Sequence, residues 1–160
     1  MAPPKLNVTL RYVPEGTRKF YWVTTIATQS SPTRAEMNAG VDVSDEVAEV
    51  TGFTVTSASA DVPDLSGRFT AKIPARITAD DSSMRFYMSS NSNDVRTVLP
   101  RDTAGFMLCL WEGDIPGQKM DVFPAKVSAA VPQTGIEDPA SIEIQFTITK
   151  QPSQNVTIPA

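Results

Sequence analysis

Histidine is absent from this sequence of 160 residues, and cysteine occurs once, at Cys109. Without histidine the chain has no histidine general base, no histidine-containing catalytic triad and no histidine-ligated metal. One cysteine cannot form an intramolecular disulfide or a cysteine-based zinc site. Cys109 also lies within an apolar run, which favours a packed small side chain over a nucleophile. These absences exclude the common catalytic and metal-binding arrangements.

Long apolar runs and basic clusters are also missing. No stretch approaches the about 18 apolar residues of a membrane span, and the N-terminus lacks the apolar segment of a secretory signal. The 14 basic residues are scattered among 18 acidic ones, for a net charge of −4. A protein that grips duplex DNA normally presents a basic patch instead. We therefore expect a chain without a membrane partner that folds in a reducing cytoplasm.

Alternation of apolar and polar residues dominates the sequence, and its 13 prolines further favour strands and loops. The alternation predicts a first strand with one apolar face, formed by Leu6, Val8, Leu10 and Tyr12. This strand could pair as a hairpin with a second one at Phe20–Ile26. The remaining predicted strands are Phe53–Ser59, Arg76–Ala79, Met84–Met88, Phe106–Trp111, Asp121–Ala129 and Ser141–Lys150. Phe106–Trp111 is apolar on both faces, so we expect it to be covered on both sides.

The strand Ser141–Lys150 has the clearest alternation in the chain. Its apolar face is formed by Ile142, Ile144, Phe146 and Ile148. Its polar face is formed by Glu143, Gln145, Thr147 and Thr149. We expect Phe146 to be buried between two layers of sheet, with the polar face exposed.

Helical signals are few. Thr33 and Glu36 fit a capping box with Gly40 as a C-terminal stop, which predicts a short helix at residues 33–39. A second helical pattern follows Asn93-Asp94 and ends at Pro100. Together the patterns predict a mostly β fold: six to eight antiparallel strands in a sandwich or partly closed barrel, with one flanking α-helix. We expect this to be a single domain spanning residues 1–160.

The longest stretch without a regular pattern is Ala60–Pro74, which we expect to be a long irregular loop. It carries four large apolar residues, at Val62, Leu65, Phe69 and Ile73. A disordered linker does not contain so many large apolar side chains. We therefore expect this segment to dock, either onto its own body or onto another copy of the protein.

Two acidic groups are the remaining chemical candidates. Neighbouring residues on a strand point to opposite faces, so Asp80-Asp81 is expected to be a solvated turn and not an acid/base pair. An acidic cluster that could bind calcium lacks the glycine and the ligand order of an EF-hand loop, so an acidic surface is the better interpretation. That cluster is formed by Asp42, Asp45, Glu46 and Glu49.

Several segments, in order along the chain, resemble the major tail tube proteins of long-tailed bacteriophages, especially those of actinobacteria. They are Pro32–Ser44 (PTRAEMNAGVDVS), Val50–Val55 (VTGFTV), Ile73–Ser83 (IPARITADDSS) with the strand Met84–Met88, Asn93–Arg96 (NDVR), Leu99–Phe106 (LPRDTAGF), Ile115–Pro124 (IPGQKMDVFP) and Asn155–Ala160 (NVTIPA). The resemblance covers most of the chain, and none of these segments is catalytic. We expect the chain to lack the C-terminal immunoglobulin-like domain that such proteins often carry.

The resemblance implies a non-enzymatic structural protein without cofactors, located in the virion tail and assembled in the cytoplasm of the host bacterium. It implies six-fold rings that stack into a hollow tube, holding first the tape measure protein and later the passing genomic DNA. Terminator and distal tail proteins would bind at the tube ends. The inter-ring contact candidates are Val62, Leu65, Arg68, Phe69 and Ile73. The lumen-facing candidates are Glu143, Gln145, Thr147 and Thr149, whose neutral-to-acidic face would not hold a polyanion.

Two alternatives remain open at the level of sequence. The chain could be another phage ring protein, such as a tail terminator or a head-tail joining protein, which stops as a single ring. It could also be a monomeric β-barrel that binds a ligand or acts as an enzyme, although no convergent polar pocket is evident in the sequence.

Overall fold

The computed structural model describes residues 3–4, 11–92 and 94–160. The predicted first strand at Leu6, Val8 and Leu10, with its hairpin pairing, lies outside the described residues, as does Asn93. Elsewhere the chain is mostly β, as predicted. The strands are β1 Lys19–Val23, β2 Val41–Asp42, β3 Val47–Thr51, β4 Val55–Val62, β5 Ala71–Ala79, β6 Ser82–Tyr87, β7 Ala104–Leu110, β8 Lys119–Gln133, β9 Ser141–Ile148 and β10 Ser153–Thr157. The α-helices are α1 Arg34–Asn38 and α2 Val95–Val98.

The main sheet is antiparallel, in the order β2-β1-β7-β8-β9-β6-β3, and β10 also pairs with β8. β8 organises this sheet because its 15 residues pair with β7 along one edge and with β10 and then β9 along the other. The two end strands, β2 and β3, are joined by a single short 3-10 turn at Ser44–Glu46. The sheet therefore curls so that its ends lie near each other, without closing into a barrel.

The core has two parts, one on each face of the curled sheet. The inner part contains Trp22, Phe86, Phe123 and Phe146 with their neighbours. The outer part lies under α1 and the C-terminal segment, and contains Val23, Ile26, Met37, Leu108, Leu110, Met120, Val122, Val156 and Ile158.

β7 lies between the two parts of the core. Met107 and Cys109 point to the inner part, and Leu108 and Leu110 point to the outer part. The prediction that this strand is covered on both sides is confirmed. Cys109 is completely buried, and burial raises the pKa of its thiol well above the usual value, so it is an unreactive core residue.

Local signals placed the helices and the clearest strand correctly. Thr33 caps α1, and its backbone N–H donates to Glu36 Oε2 at 2.7 Å, completing the predicted capping box. Asp94 caps α2 through the backbone N–H of Arg96. In β9 the apolar residues Ile142, Ile144 and Phe146 are buried, although the strand ends at Ile148 rather than at Lys150.

Three short strands, β2, β3 and β10, were not predicted. β3 pairs with β6 through a register shift between Val47 and Glu49, and β10 pairs with β8 through a shift between Ser153 and Val156. A bulge inserts an extra residue and interrupts the alternation of apolar and polar residues from which strands are predicted.

The prediction of an irregular loop at Ala60–Pro74 is wrong. Ala60–Val62 belongs to β4 and Ala71–Pro74 belongs to β5, so only residues 63–70 form a loop. The two strands form a hairpin that is a separate two-stranded sheet. The inner parts of the two strands match the predicted strands Phe53–Ser59 and Arg76–Ala79. In the outer part almost all residues are exposed, so no core side enforces the alternation by which strands are recognised. We call residues 55–79 the arm.

Candidate functional site

The arm extends away from the body of the protein. Eight of the nine residues of β5 are exposed, as are six of the eight residues of β4. The cross-strand pairs run from Val55 opposite Ala79 at the base to Val62 opposite Ala71 near the tip. At about 3.4 Å per residue, the eight residues of β4 make an arm of about 27 Å before its loop.

The outer half of the arm has one apolar and one charged face. Ala60 lies opposite Ile73, and Val62 lies opposite Ala71, so these four side chains share a face. On the other face Lys72 Nζ lies 3.1 Å from Asp61 Oδ1. A register shift between Ser57 and Ser59 separates this half from the base. The apolar face carries Val62 and Ile73, two of the predicted contact residues, at 43% and 53% exposure.

The loop at the tip holds the other three predicted contact residues in a compact turn. Asp64 Oδ1 accepts hydrogen bonds from Ser66 N at 2.8 Å, Ser66 Oγ at 2.6 Å and Gly67 N at 3.0 Å. The bonds from Ser66 lower the pKa of Asp64. Leu65 and Phe69 are among the most exposed large apolar residues of the described chain, and Arg68 is exposed between them.

The base of the arm is fixed rigidly to the inner core. Gly52 and Phe53 both have positive φ, +80° and +53°, which turns the chain sharply out of β3. A Cβ on Gly52 would lie 2.6 Å from the backbone oxygen of Asp81. Phe53 is buried against Phe123 and Phe146, and its N–H donates to Ser82 Oγ at 2.9 Å. The arm is thus a projecting element on a fixed base.

The polar face of β9 is a second candidate surface. Gln145, Thr147 and Thr149 are exposed and Glu143 is partly buried. The strand itself has no cation on this face before Lys150, but its neighbours supply two. Arg85 lies opposite Glu143, and Lys126 lies opposite Thr147.

Both of these neighbouring cations have acidic partners. Arg85 Nη1 lies 3.2 Å from Glu49 Oε2, and Lys126 Nζ lies 3.0 Å from Asp102 Oδ1. The hydrogen bond from Lys126 lowers the pKa of Asp102. The expected smooth neutral-to-acidic face is therefore a face of mixed charge whose cations are paired, and it carries no unopposed basic patch.

A third surface, which we call the α2 groove, was not predicted. Its floor is apolar and is formed by Val43, Phe86, Met88, Val95 and Val98, and the acidic residues Asp42 and Glu46 lie at its rim. The groove has a volume of about 460 Å³. It combines three segments that lie far apart in the chain, so no local pattern could have revealed it.

The other candidates carry no catalytic arrangement. In the acidic cluster, Lys19 Nζ lies 3.3 Å from Asp42 Oδ2 and 3.6 Å from Asp45 Oδ1, while Glu49 faces Arg85. Over the described ranges, the acidic and cysteine side chains form no group of three or more suited to hold a metal ion. Asp80 accepts a hydrogen bond from Thr54 Oγ1 at the base of the arm. Within the same ranges, no helix is long and apolar enough to cross a membrane.

The described chain is a curled antiparallel sheet with a projecting arm, and the apolar tip of that arm is a surface suited to contacts with other chains. Residues 7–160 match the phage tail tube protein family, and the chain belongs to that family. It is therefore a structural protein of the phage tail. No curated protein sequence matches this chain.

The fold is similar to those of several solved structures. One is the sheath/tube terminator of the PVC extracellular contractile injection system in its extended state, with a TM-score of 0.60 and 8% identity, covering 89% of this chain and 96% of that one. Another is the tube terminating cap of the anti-feeding prophage, with a TM-score of 0.58 and 9% identity, covering 96% and 99%. A third is the tail of an empty gene transfer agent particle refined with C6 symmetry, with a TM-score of 0.50 and 11% identity, covering 86% and 93%. At these identities the likeness concerns the fold alone.

Proposed function

We propose that this chain is the building block of the tail tube itself, polymerising as six-membered rings that stack into a hollow conduit. The observation that carries the proposal is the exposed apolar tip of the arm, with Leu65 at 109% and Phe69 at 83% exposure. Leu65 and Phe69 are grouped on the arm with the exposed Val62 and Ile73, and grouped exposed apolar side chains, unlike single ones, mark interaction sites. The C6 symmetry of the gene transfer agent tail, which shares the fold, supports a ring of six.

In this proposal the arm makes the contact between successive rings. Fully burying a leucine or phenylalanine side chain is worth about 1.5–3 kcal/mol, so the tip supplies about 3–6 kcal/mol per subunit before the costs of association. The contact is repeated around the ring, and these modest energies combine through avidity. The hairpin is already folded and its tip is held by Asp64, so little further ordering is needed on docking.

The experiment is to replace the apolar tip with polar residues and look for tubes. The double variant Leu65→Ser, Phe69→Ser should give a soluble protein with an unchanged far-ultraviolet dichroism spectrum and no tubes by negative-stain electron microscopy. The matched control is Ile136→Ser, an apolar residue at 106% exposure outside the arm, which should leave tubes unaffected. Tubes of normal length from the double variant would refute the stacking role of the arm.

The polar face of β9 is the surface that we propose for the lumen. Glu143, Gln145, Thr147 and Thr149 lie beside paired cations, and such a face lets a polyanion pass without holding it. The lumen would contain the tape measure protein during assembly and genomic DNA during ejection. In this proposal the tube assembles in the host cytoplasm, and terminator and distal tail proteins bind at its ends.

A second candidate function is that of a tail terminator. Its support is the similarity of the fold to the terminator of a contractile injection system and to a tube terminating cap. A terminator closes one end of a tube and stops as a single ring. Purified protein that forms only isolated rings under the electron microscope would favour it over the tube protein.

A further inference from the structure

We propose that the α2 groove of one copy receives the tip of the arm of the next copy. Phe69 would lie on the apolar floor of the groove, and Arg68 would pair with Glu46 at its rim. The proposal rests on the stacking role of the arm proposed above, and it adds the receiving site.

The first argument is the position of the two surfaces in the fold. The arm leaves the body where β5 passes into β6, next to Ser82 at the beginning of β6. The groove is lined by Phe86 and Met88, at and just beyond the other end of the same strand. Six strand residues at about 3.4 Å each separate the two surfaces by about 20 Å. The base of the arm and the groove therefore lie at opposite ends of β6.

The separation of the arm from the groove determines the kind of assembly that the contact can make. A contact between two different patches is heterologous, so each copy offers a free arm at one end and a free groove at the other. Such a contact does not end in a dimer and can repeat along an axis, as the stacking of rings requires.

The second argument is chemical complementarity. Phe69 is 83% exposed at the tip, whereas Val41 is exposed and Met88 and Val98 are partly exposed in the groove, above the buried Phe86 and Val95. The volume of about 460 Å³ lies within the about 300–1,000 Å³ typical of small-molecule pockets, so the groove has room for a phenyl ring.

The third argument is charge. At the rim Asp42 is bonded to Lys19 and Ser44, whereas Glu46 has no ion pair with any of the described residues. Arg68 likewise has no ion pair within the described part of the chain, although Lys72 and Asp61 on the same arm are paired. The cation beside the exposed aromatic ring and the anion beside the apolar groove are therefore opposite in charge, and each is available for a partner on another copy. A pair of this type sets the register of a contact more than it adds affinity.

Charge reversal tests the proposal directly. The variants Arg68→Glu and Glu46→Arg should each reduce the mass of sedimentable tubes at least tenfold, and the double variant should restore at least half of it. Glu137→Arg, an exposed acidic residue on the β8–β9 loop, is the matched control and should assemble normally. Either single variant assembling like the wild type, or a double variant no better than the singles, would overturn the proposal.

A cross-link tests the location of the contact. Chains with Glu46→Cys and Arg68→Cys should give a ladder of disulfide-linked species on mild oxidation, because each copy would be bonded to two neighbours. The native Cys109 is buried and does not interfere. A pairing of Arg68→Cys with Ile136→Cys should give no ladder. Absence of the ladder in the first pair, or an equal ladder in the second, would overturn the assignment of the groove.

These outcomes distinguish failure of the groove proposal from failure of the proposed function. If the Leu65→Ser, Phe69→Ser variant forms no tubes while Glu46→Arg still does, the arm stacks rings through another surface and the groove assignment is wrong. If the tip variant also forms normal tubes, the stacking role of the arm fails, and the groove proposal fails with it.

Discussion

Replacing Phe146 with alanine tests the core that supports the base of the arm and the polar face of β9. Phe146 is 2% exposed, and its ring lies 5.9 Å from that of Trp22 and 5.7 Å from that of Phe53. Its neighbours belong to β1 and to the base of the arm, so they cannot easily collapse into the space that the ring leaves. We therefore expect a cost in the range of about 3–5 kcal/mol that is typical of phenylalanine-to-alanine changes in cores.

The measurement is equilibrium urea denaturation at low protein concentration, followed by tryptophan fluorescence. With a denaturant slope of about 2 kcal/mol/M, a loss of about 4 kcal/mol lowers the midpoint by about 2 M. Because single domains are stable by only about 5–15 kcal/mol, this is a large share of the total. The matched control is Gln145→Ala, an exposed neighbour on the same strand, which should change the free energy of unfolding by no more than about 0.5 kcal/mol.

Equal and small shifts for the two variants would show that the phase of β9 is wrong. That result would also remove the basis for placing Glu143, Gln145 and Thr147 on an exposed face. A large shift for Phe146→Ala with an unchanged slope is the expected result. A changed slope would show that the variant alters the compactness of one of the two states instead.

Three further predictions concern the lumen, the cap of α2 and the base of the arm. The double variant Gln145→Lys, Thr147→Lys should form normal tubes but impair DNA ejection, and normal infectivity would show that the polar face of β9 lies elsewhere. Hydrogen bonds from the Arg96 side chain lower the pKa of Asp94 from 3.8 to about 2, so this group stabilises the fold above pH 4 and its contribution is lost as the pH falls towards 2. Asp94→Asn should therefore be less stable than the wild type by about 1–2 kcal/mol at neutral pH, with thermal melts converging at pH 2, and a constant difference across that range would contradict this. Gly52→Ala should lower the thermal midpoint, since its φ of +80° alone costs an alanine about 1–2 kcal/mol and its Cβ would clash with a backbone oxygen; an unchanged midpoint would show that the base of the arm adjusts freely.

The tail tube proposal and the groove proposal make different demands on the arm. Stacking needs only that Leu65 and Phe69 be covered by some surface of the neighbouring ring. The groove assigns that surface to the 41–46 segment and α2, and it gives Arg68 a partner. The Asp94 variant tests stability and assembly together, because Asp94 caps α2 and α2 lines the groove. A variant that loosens α2 should weaken assembly as well as stability.

Elements whose formation depends on residues close together in the chain could be predicted from the sequence alone. The capping box of Thr33 and Glu36 specified α1 because its donors and acceptors lie within three residues of each other. The alternation from Ile142 to Phe146 specified the buried face of β9 because that face is buried along its length. The absence of histidine, together with a single cysteine, limited the available chemistry without reference to any fold.

The tertiary structure decided whatever depends on strands meeting across the sheet. β3 and β10 pair through bulges, and the outer part of the arm is exposed on both faces, so these segments lack the periodicity that burial produces in a sequence. Arg85 came to lie beside Glu143, and Lys126 beside Thr147, only through strand register. The α2 groove draws on segments around residues 43, 86 and 95. Hydrophobic periodicity and helix capping are local properties, so they can be recognised in the sequence. The pairing of strands and the curvature of the sheet follow from long-range packing. The surfaces proposed here for assembly arise from that packing.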